Sequence, residues 1–287
     1  MKIGATFPQT EIGTDVVAIR DYVQALEDMG FDYVLAYDHV LGANPDRPGG
    51  WKGPYTYQTL FHEPLVLFGW IAGFTKRLEM VTGILILPQR QTALVAKQAA
   101  QVQLLSGGRL RLGVGVGWNK VEYQSLGQDF HTRGKRMDEQ VQLLRELWAN
   151  PLVNFDGRFD TIPDAGIKPR PDQPIPIWFG GSLAAAGNRT VQYGDGWLPN
   201  YMPTDTLVSE VARLRDDLTK AGRDPAAFGI DVRLDANHHP ESTWGSEVAR
   251  LVEMRVSHVS LNTMNGGNTT VDQHIAMLRR FKAAVGN

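Results

Sequence analysis

The chain has 287 residues, of which 43% are hydrophobic and 21% charged; its net charge is -2 and it contains no cysteine. The length suits a single α/β barrel, and the apolar content supports a sizeable core and argues against disorder. The near-neutral charge gives no reason to expect nucleic acid or an anionic membrane as a partner, and the lack of cysteine excludes disulfides, thiol nucleophiles and thiolate metal sites.

The opening MKIGATFPQT lacks the apolar core of a signal peptide, and no apolar run is long enough to span a bilayer. A cytoplasmic protein is therefore expected. KIGATF reads as a first strand stopped by Pro8, and Val16, Ile19, Val23 and Leu26 as a helical stripe ending at Gly30. FDYVLAYDH is the second strand, finishing in Asp38 and His39. A Gly-, Pro- and aromatic-rich loop covers about 41–62, and a helix is expected from Glu63 to Thr75.

Leu78 to Trp118 is a complete strand–helix–strand unit. LEMVTGILIL and RLRLGVGV flank a segment with helical spacing at Val95, Ala99, Val102 and Leu105. Such a connection implies parallel strands with a right-handed crossover, and apolar runs this continuous imply that both faces are covered. A helix with apolar positions 137, 141, 144, 147 and 148 follows, then a hairpin excursion at about 150–173. PIPIWFGG, DGWLPN, FGIDVRLD and VSHVSLN supply four more strands, each followed by a helical pattern. Eight strands alternating with eight helices fit one (β/α)8 TIM-like barrel over 1–287 better than a doubly wound sheet. In a barrel the strand ends form the site: Phe7-Pro8, Asp38-His39, Gly83-Ile84, Gly115 to Trp118, Gly180 to Ser182, Trp197 to Asn200, Asp235 and Asn262.

Among the motifs, GVGVGW approaches a dinucleotide fingerprint, but the third glycine falls on Trp118 and three strands precede it. Glycines serving a tight barrel top are the simpler reading, and they also let a flat ring approach the backbone. Gly180-Gly181-Ser182 begins a helix, where backbone N–H groups and a hydroxyl make an anion site unless Ser182 merely caps the helix. Read instead as a nucleophile elbow, the same turn would pair with Asp235 and His238 or His239 in a hydrolase, although Ala184 stands where that motif has glycine. Histidine at a barrel strand end makes His39 a candidate acid or base. His238 and His239 fall in a polar loop expected to be solvated, and Arg136 and Glu139 on a helix face expected to be solvated or paired. No H-E-x-x-H spacing exists, so no metal is expected.

Taken together, GFDYVLAYDH, EPLVLFGWIAGFTKRLEMVTGILILPQR, AKQAAQVQLLSGGRLRLGVGVGW with Glu122, RGKRMDEQVQLLRELW and PIPIWFGG with GDGW resemble the luciferase-like monooxygenase family. The likeness is strongest to its branch using the deazaflavin coenzyme F420, and it runs in order from about residue 2 to 200. The resemblance implies a barrel that binds the deazaflavin across the strand ends. It also implies a non-proline cis peptide at Gly83-Ile84 beneath the ring, and cofactor contacts at Asp38, His39, Gly115 and Gly117; Trp118, beside those glycines, is expected to touch the cofactor as well. The phosphate turn matches Gly180, Gly181 and Ser182. Two positions depart from the sugar-phosphate dehydrogenases of that branch. Trp118 replaces their glutamate proton donor, and the tryptophan they carry a few residues past Asp-His is missing, since VLGANP follows here.

The expected function is hydride transfer between F420 and a small organic substrate, with His39 catalytic and Trp51, Tyr55 and Trp118 forming an apolar wall. The alternatives are an FMN-dependent monooxygenase of the same fold and a flavin- or deazaflavin-binding protein without turnover. A homodimer is also expected.

Overall fold

Strands that are apolar nearly throughout need cover on both faces, and a closed barrel ringed by helices provides it. In the computed structural model, which describes residues 1–200 and 204–286, the strands run in chain order as β1 (Lys2–Thr6), β2 (Tyr33–Ala36), β3 (Glu79–Thr82), β4 (Leu85–Ile86) and β5 (Leu110–Gly115). They continue as β6 (Val153–Asp156), β7 (Thr161–Ala165), β8 (Ile177–Gly180), β9 (Gly196–Leu198), β10 (Gly229–Asp235) and β11 (His258–Asn262). The helices are α1 (Val16–Asp28), α2 (Pro64–Ala72), α3 (Thr92–Leu105), α4 (Lys120–Ser125), α5 (Arg133–Ala149), α6 (Leu183–Tyr193), α7 (Thr204–Lys220), α8 (Trp244–Glu253) and α9 (Val271–Val285).

All barrel pairings are parallel, and β1 pairs with both β2 and β11, which closes the ring. β3 and β4 together make one of its eight staves. The expected barrel is therefore the observed one, with α4 as an extra short helix. The excursion after α5 is the antiparallel hairpin β6–β7. Its turn is tied to α5 because Glu139 accepts hydrogen bonds from the N–H groups of Arg158, Phe159 and Asp160.

The third stave differs from the single run read in the sequence. Val81 opposes Arg111 and Leu85 opposes Val114, so four residues on one strand are matched by three on its neighbour. The extra residue makes a bulge at Gly83-Ile84, where the peptide bond is cis, as the resemblance implied. The second strand also ends earlier than its apolar run, at Ala36, so Asp38 and His39 lie beyond the pleat.

Two apolar clusters result. One lies between barrel and helices, and the other, built on Tyr33, Leu35, Val81, Trp178 and Leu198, fills the barrel interior. Large rings enter because neighbouring strands carry glycine: a Cβ on Gly4 would sit 2.3 Å from the Tyr33 ring, and one on Gly229 2.1 Å from that of Trp178. Between those rings lies the Arg111 guanidinium, 4.6 Å from Tyr33 and 4.3 Å from Trp178, paired with Asp231 at 3.0 Å. Tyr33 also donates its hydroxyl to Asp231 at 2.6 Å. This plug fills the amino-terminal end of the barrel, below a cavity that lies toward the strands' carboxyl ends.

His258 packs edge-on against Tyr33 and Trp178, and burial, with Arg111 adding to it, pushes its imidazole down to about 2. Between roughly pH 6.5 and 2 the unfolded chain takes up a proton there that the folded chain refuses. Stability is thus lost as pH falls through that window, at a rate approaching ~1.4 kcal/mol per pH unit. His258→Phe, which keeps a ring but cannot ionise, is expected to remove one proton's worth of slope from the stability curve between pH 6 and pH 4. Urea denaturation across that range checks it, and an unchanged slope contradicts it.

Candidate active site

A cavity of about 760 Å³ opens at the carboxyl ends of the strands and brings together almost every residue singled out in the sequence. Asp38, His39, Gly83, Ile84, Gly115, Gly117, Trp118, Gly180, Gly181 and Ser182 all line it.

The bulge forms one wall. Ile84 projects from it, and its side chain nests where glycines leave room: a Cβ on Gly115 would lie 2.6 Å from Ile84, and one on Gly180 2.4 Å. These two glycines therefore make room for the Ile84 side chain, in addition to the ring contact read from the sequence for Gly115 and the phosphate contact read for Gly180. Asp38 holds the same structure from behind. Its Oδ2 accepts from the Ile86 N–H at 2.9 Å and its Oδ1 from Arg90 at 2.7 Å, while Arg90 also binds Glu63 at 2.9 Å. Burial pushes the Asp38 carboxyl up, against the opposing pull of Arg90 and the Ile86 N–H.

His39 faces the cavity with its other side fixed. Its Nδ1 lies 3.2 Å from Oε2 of Glu122, a fully buried carboxylate at the start of α4. Glu122 also accepts from the N–H groups of Val40 at 2.5 Å and Leu41 at 3.3 Å, and from Gln89 at 3.1 Å. Burial alone raises such a carboxyl, but His39, Gln89 and the Val40 N–H outweigh it and hold Glu122 below the usual range. An ionised carboxylate only accepts, so Nδ1 donates to it and Nε2 is the nitrogen left for the cavity.

Rings enclose that imidazole. Phe61 lies 4.8 Å away, Tyr55 5.0 Å and Trp118 5.6 Å between centroids. Trp51 backs Trp118 at 5.7 Å, and its indole N–H donates to the Tyr55 carbonyl at 2.8 Å. The 41–62 loop thus builds a wall against the site, as its aromatic content suggested, with Phe61 an addition.

The opposite end is polar. Ser182 is the N-cap of α6, yet its hydroxyl makes no capping bond, which removes the purely structural reading. Gly181, at φ +119°, has no heavy atom within 4 Å of the place where a Cβ would stand, so open space faces its Cα, while its N–H donates to the Leu198 carbonyl at 3.1 Å. Arg189, nearly two turns into α6 and paired with Asp138 at 2.7 Å, lines the same end. The hydrolase reading finds no support among the described residues. Ser182 has no histidine partner, and Asp235 is taken up by Asn237 and Asn262, each at 2.9 Å. His239 is not simply solvated as expected, since its Nδ1 lies 3.0 Å from the Asp235 carbonyl. His238 lies 3.8 Å from the Asp235 carboxylate. No group of three or more metal-ligating side chains occurs among the described residues.

The sequence did not single out Phe61, Gln89, Arg90 or Arg233 and gave Glu122 no role. Arg90 and Glu122 act through partners 52 and 83 residues away, a separation at which no spacing rule operates.

A bulge raised into a large cavity, an unclaimed hydroxyl at a helix start, and apolar walls suit a flat ring carrying a phosphate-bearing tail. If Ser182 holds such a phosphate, Ser182→Ala is expected to weaken cofactor affinity by about 1–2 kcal/mol while leaving kcat at saturation nearly unchanged. Unchanged affinity, or labelling of Ser182 by a fluorophosphonate, contradicts that role.

Comparison with known proteins agrees with this geometry. An uncharacterized protein of Mycobacterium tuberculosis (strain ATCC 25618 / H37Rv) is 39% identical over 75% of this chain and 77% of its own. The F420-dependent glucose-6-phosphate dehydrogenase of Amycolatopsis mediterranei is 34% identical over 62% of this chain and 51% of its own length. Among solved structures, an F420-dependent secondary alcohol dehydrogenase in complex with an F420-acetone adduct superposes with a TM-score of 0.80 at 18% identity, over 100% of this chain and 99% of that one. At that identity the likeness establishes the fold. The model of the luciferase-like monooxygenase family matches residues 3–249, and the chain belongs to that family.

Proposed function

We propose that the protein is an oxidoreductase that binds F420 and moves a hydride between it and a small organic substrate. The observation that carries this reading is the Ile84 bulge sharing one cavity with a histidine whose Nδ1 is locked by a buried carboxylate. Bound deazaflavin would supply the hydride acceptor or donor. The chain's own residues do the rest. Ile84 supports the ring, the start of α6 with Ser182 and Arg189 holds the phosphate, and the aromatic wall excludes water. His39 Nε2 gives or takes the proton that accompanies the hydride at the substrate. Glu122 keeps that nitrogen aimed and its tautomer fixed. Trp118, standing where sugar-phosphate dehydrogenases carry glutamate, favours a substrate other than a sugar phosphate.

Anaerobic incubation with F420 and a panel of alcohols, carbonyl compounds and unsaturated acids tests the reading, because hydride transfer erases the visible absorbance of the oxidised deazaflavin. Substrate-dependent loss or return of that absorbance without oxygen is expected. Turnover only with reduced FMN and oxygen contradicts it in favour of a monooxygenase. Bound F420 with no turnover across the panel points to a binding protein.

A further inference from the structure

We infer that Arg233 is an anion-recognition residue and that the substrate is an organic acid, its carboxylate on Arg233 and its apolar body against the aromatic wall. This rests on the proposed reading of the cavity as an enzyme site.

The alternation of β10 sends Ile230, Val232 and Leu234 outward into the core and Asp231, Arg233 and Asp235 into the barrel. Both acidic neighbours are already committed. Asp231 is taken by Tyr33 and Arg111, and Asp235 by Asn237 and Asn262. Among the described residues Arg233 has no ion pair and no hydrogen bond; what its guanidinium touches is the Tyr37 ring, with Cζ 5.2 Å from the centroid.

The neighbouring guanidiniums differ. Arg90 is paired with Asp38 and Glu63, Arg111 with Asp231 and Arg189 with Asp138. A half-buried, unpaired cation in a cavity loses hydration without a return, unless a ligand supplies the anion. The guanidinium fork matches a carboxylate with two parallel hydrogen bonds. Of the Arg and Lys residues that line the cavity among the described residues, Arg233 alone lacks a carboxylate partner, and a single guanidinium fork fits a carboxylate rather than a phosphate dianion.

The direction of the body follows from the neighbours. Tyr37 and Tyr55 line the same cavity as Arg233, and its charge opposes the effect of burial on both hydroxyls. Tyr55 in turn touches His39 at 5.0 Å. An acid anchored on Arg233 therefore lays its body along Tyr55 toward the imidazole.

Calorimetric titration of the purified protein with acetate, benzoate and 3-phenylpropanoate, each compared with its amide, tests the proposal. At neutral pH wild type is expected to prefer at least one of the acids over its amide by ~tenfold or more, as hydrogen bonds to a charged group allow. Arg233→Gln should bring the preference near one, and Arg233→Lys should keep part of it. The affinity of Arg233→Gln for F420 should equal that of wild type. Equal binding of all acids and amides to wild type, or a preference surviving in Arg233→Gln, overturns the proposal. So does a parallel loss of F420 affinity, which assigns the guanidinium to the cofactor. If F420 fails to bind wild type while the acid preference still depends on Arg233, the cofactor reading falls and the anion site stands.

Discussion

Replacing His39 with asparagine is expected to lower kcat by about 10²–10⁴-fold, the range for a positioned acid or base. Asparagine retains a polar side chain of similar reach at Nδ1, so its amide can still donate to Glu122 and keep the Val40 turn in place. What it lacks is a nitrogen in the Nε2 position that can gain and release a proton. F420 affinity and thermal stability should therefore stay near wild type, and the pH-rate profile should lose one limb. Steady-state kinetics with paired melting curves separate these effects. Full turnover in the variant, or failure to fold, would return His39 to a structural role.

Glu122→Gln is expected to lower kcat by about 10²-fold or more and stability by about 1–3 kcal/mol. The loss has two sources in one buried side chain. Glutamine has a single acceptor oxygen where the carboxylate serves the Val40 and Leu41 N–H groups on one side and His39 and Gln89 on the other. Whichever way the amide turns, its NH2 meets a donor. If the NH2 faces His39, it draws the Nδ1 lone pair and moves the hydrogen to Nε2, the wrong tautomer for a group that must accept a proton there. Because the two residues act as one unit, the double variant His39→Asn, Glu122→Gln should be little slower than His39→Asn alone. Additive losses in kcat would show that Glu122 acts independently of the imidazole.

How far the sequence carried this picture depends on the range of each interaction. Strand and helix order was legible because apolar continuity and helical spacing are local signals, and the number of units then pointed to a barrel. The place of His39 followed from its position at a strand end. Its orientation did not, because the apolar run through Tyr37 hid the real strand end at Ala36, and beyond that point strand alternation no longer governs direction. The broken third stave was hidden for a similar reason. LEMVTGILIL is apolar on both sides of the bulge, and only the pairing with β5 shows the extra residue. Gly115 and Gly180 were recognised as important, but that they make room for Ile84 requires three strands in register. Arg233 sits in FGIDVRLD, where one charge among three looks ordinary. That both acidic neighbours are committed elsewhere is a fact of packing across the barrel.

The most direct measurement of the central claim is the fluorescence titration of purified protein with F420 and, separately, with FMN. On the proposed reading of the cavity, saturable binding of F420 at micromolar concentration, with FMN at least ~tenfold weaker, is the expected result. Saturable micromolar binding of FMN with no response to F420 would contradict it.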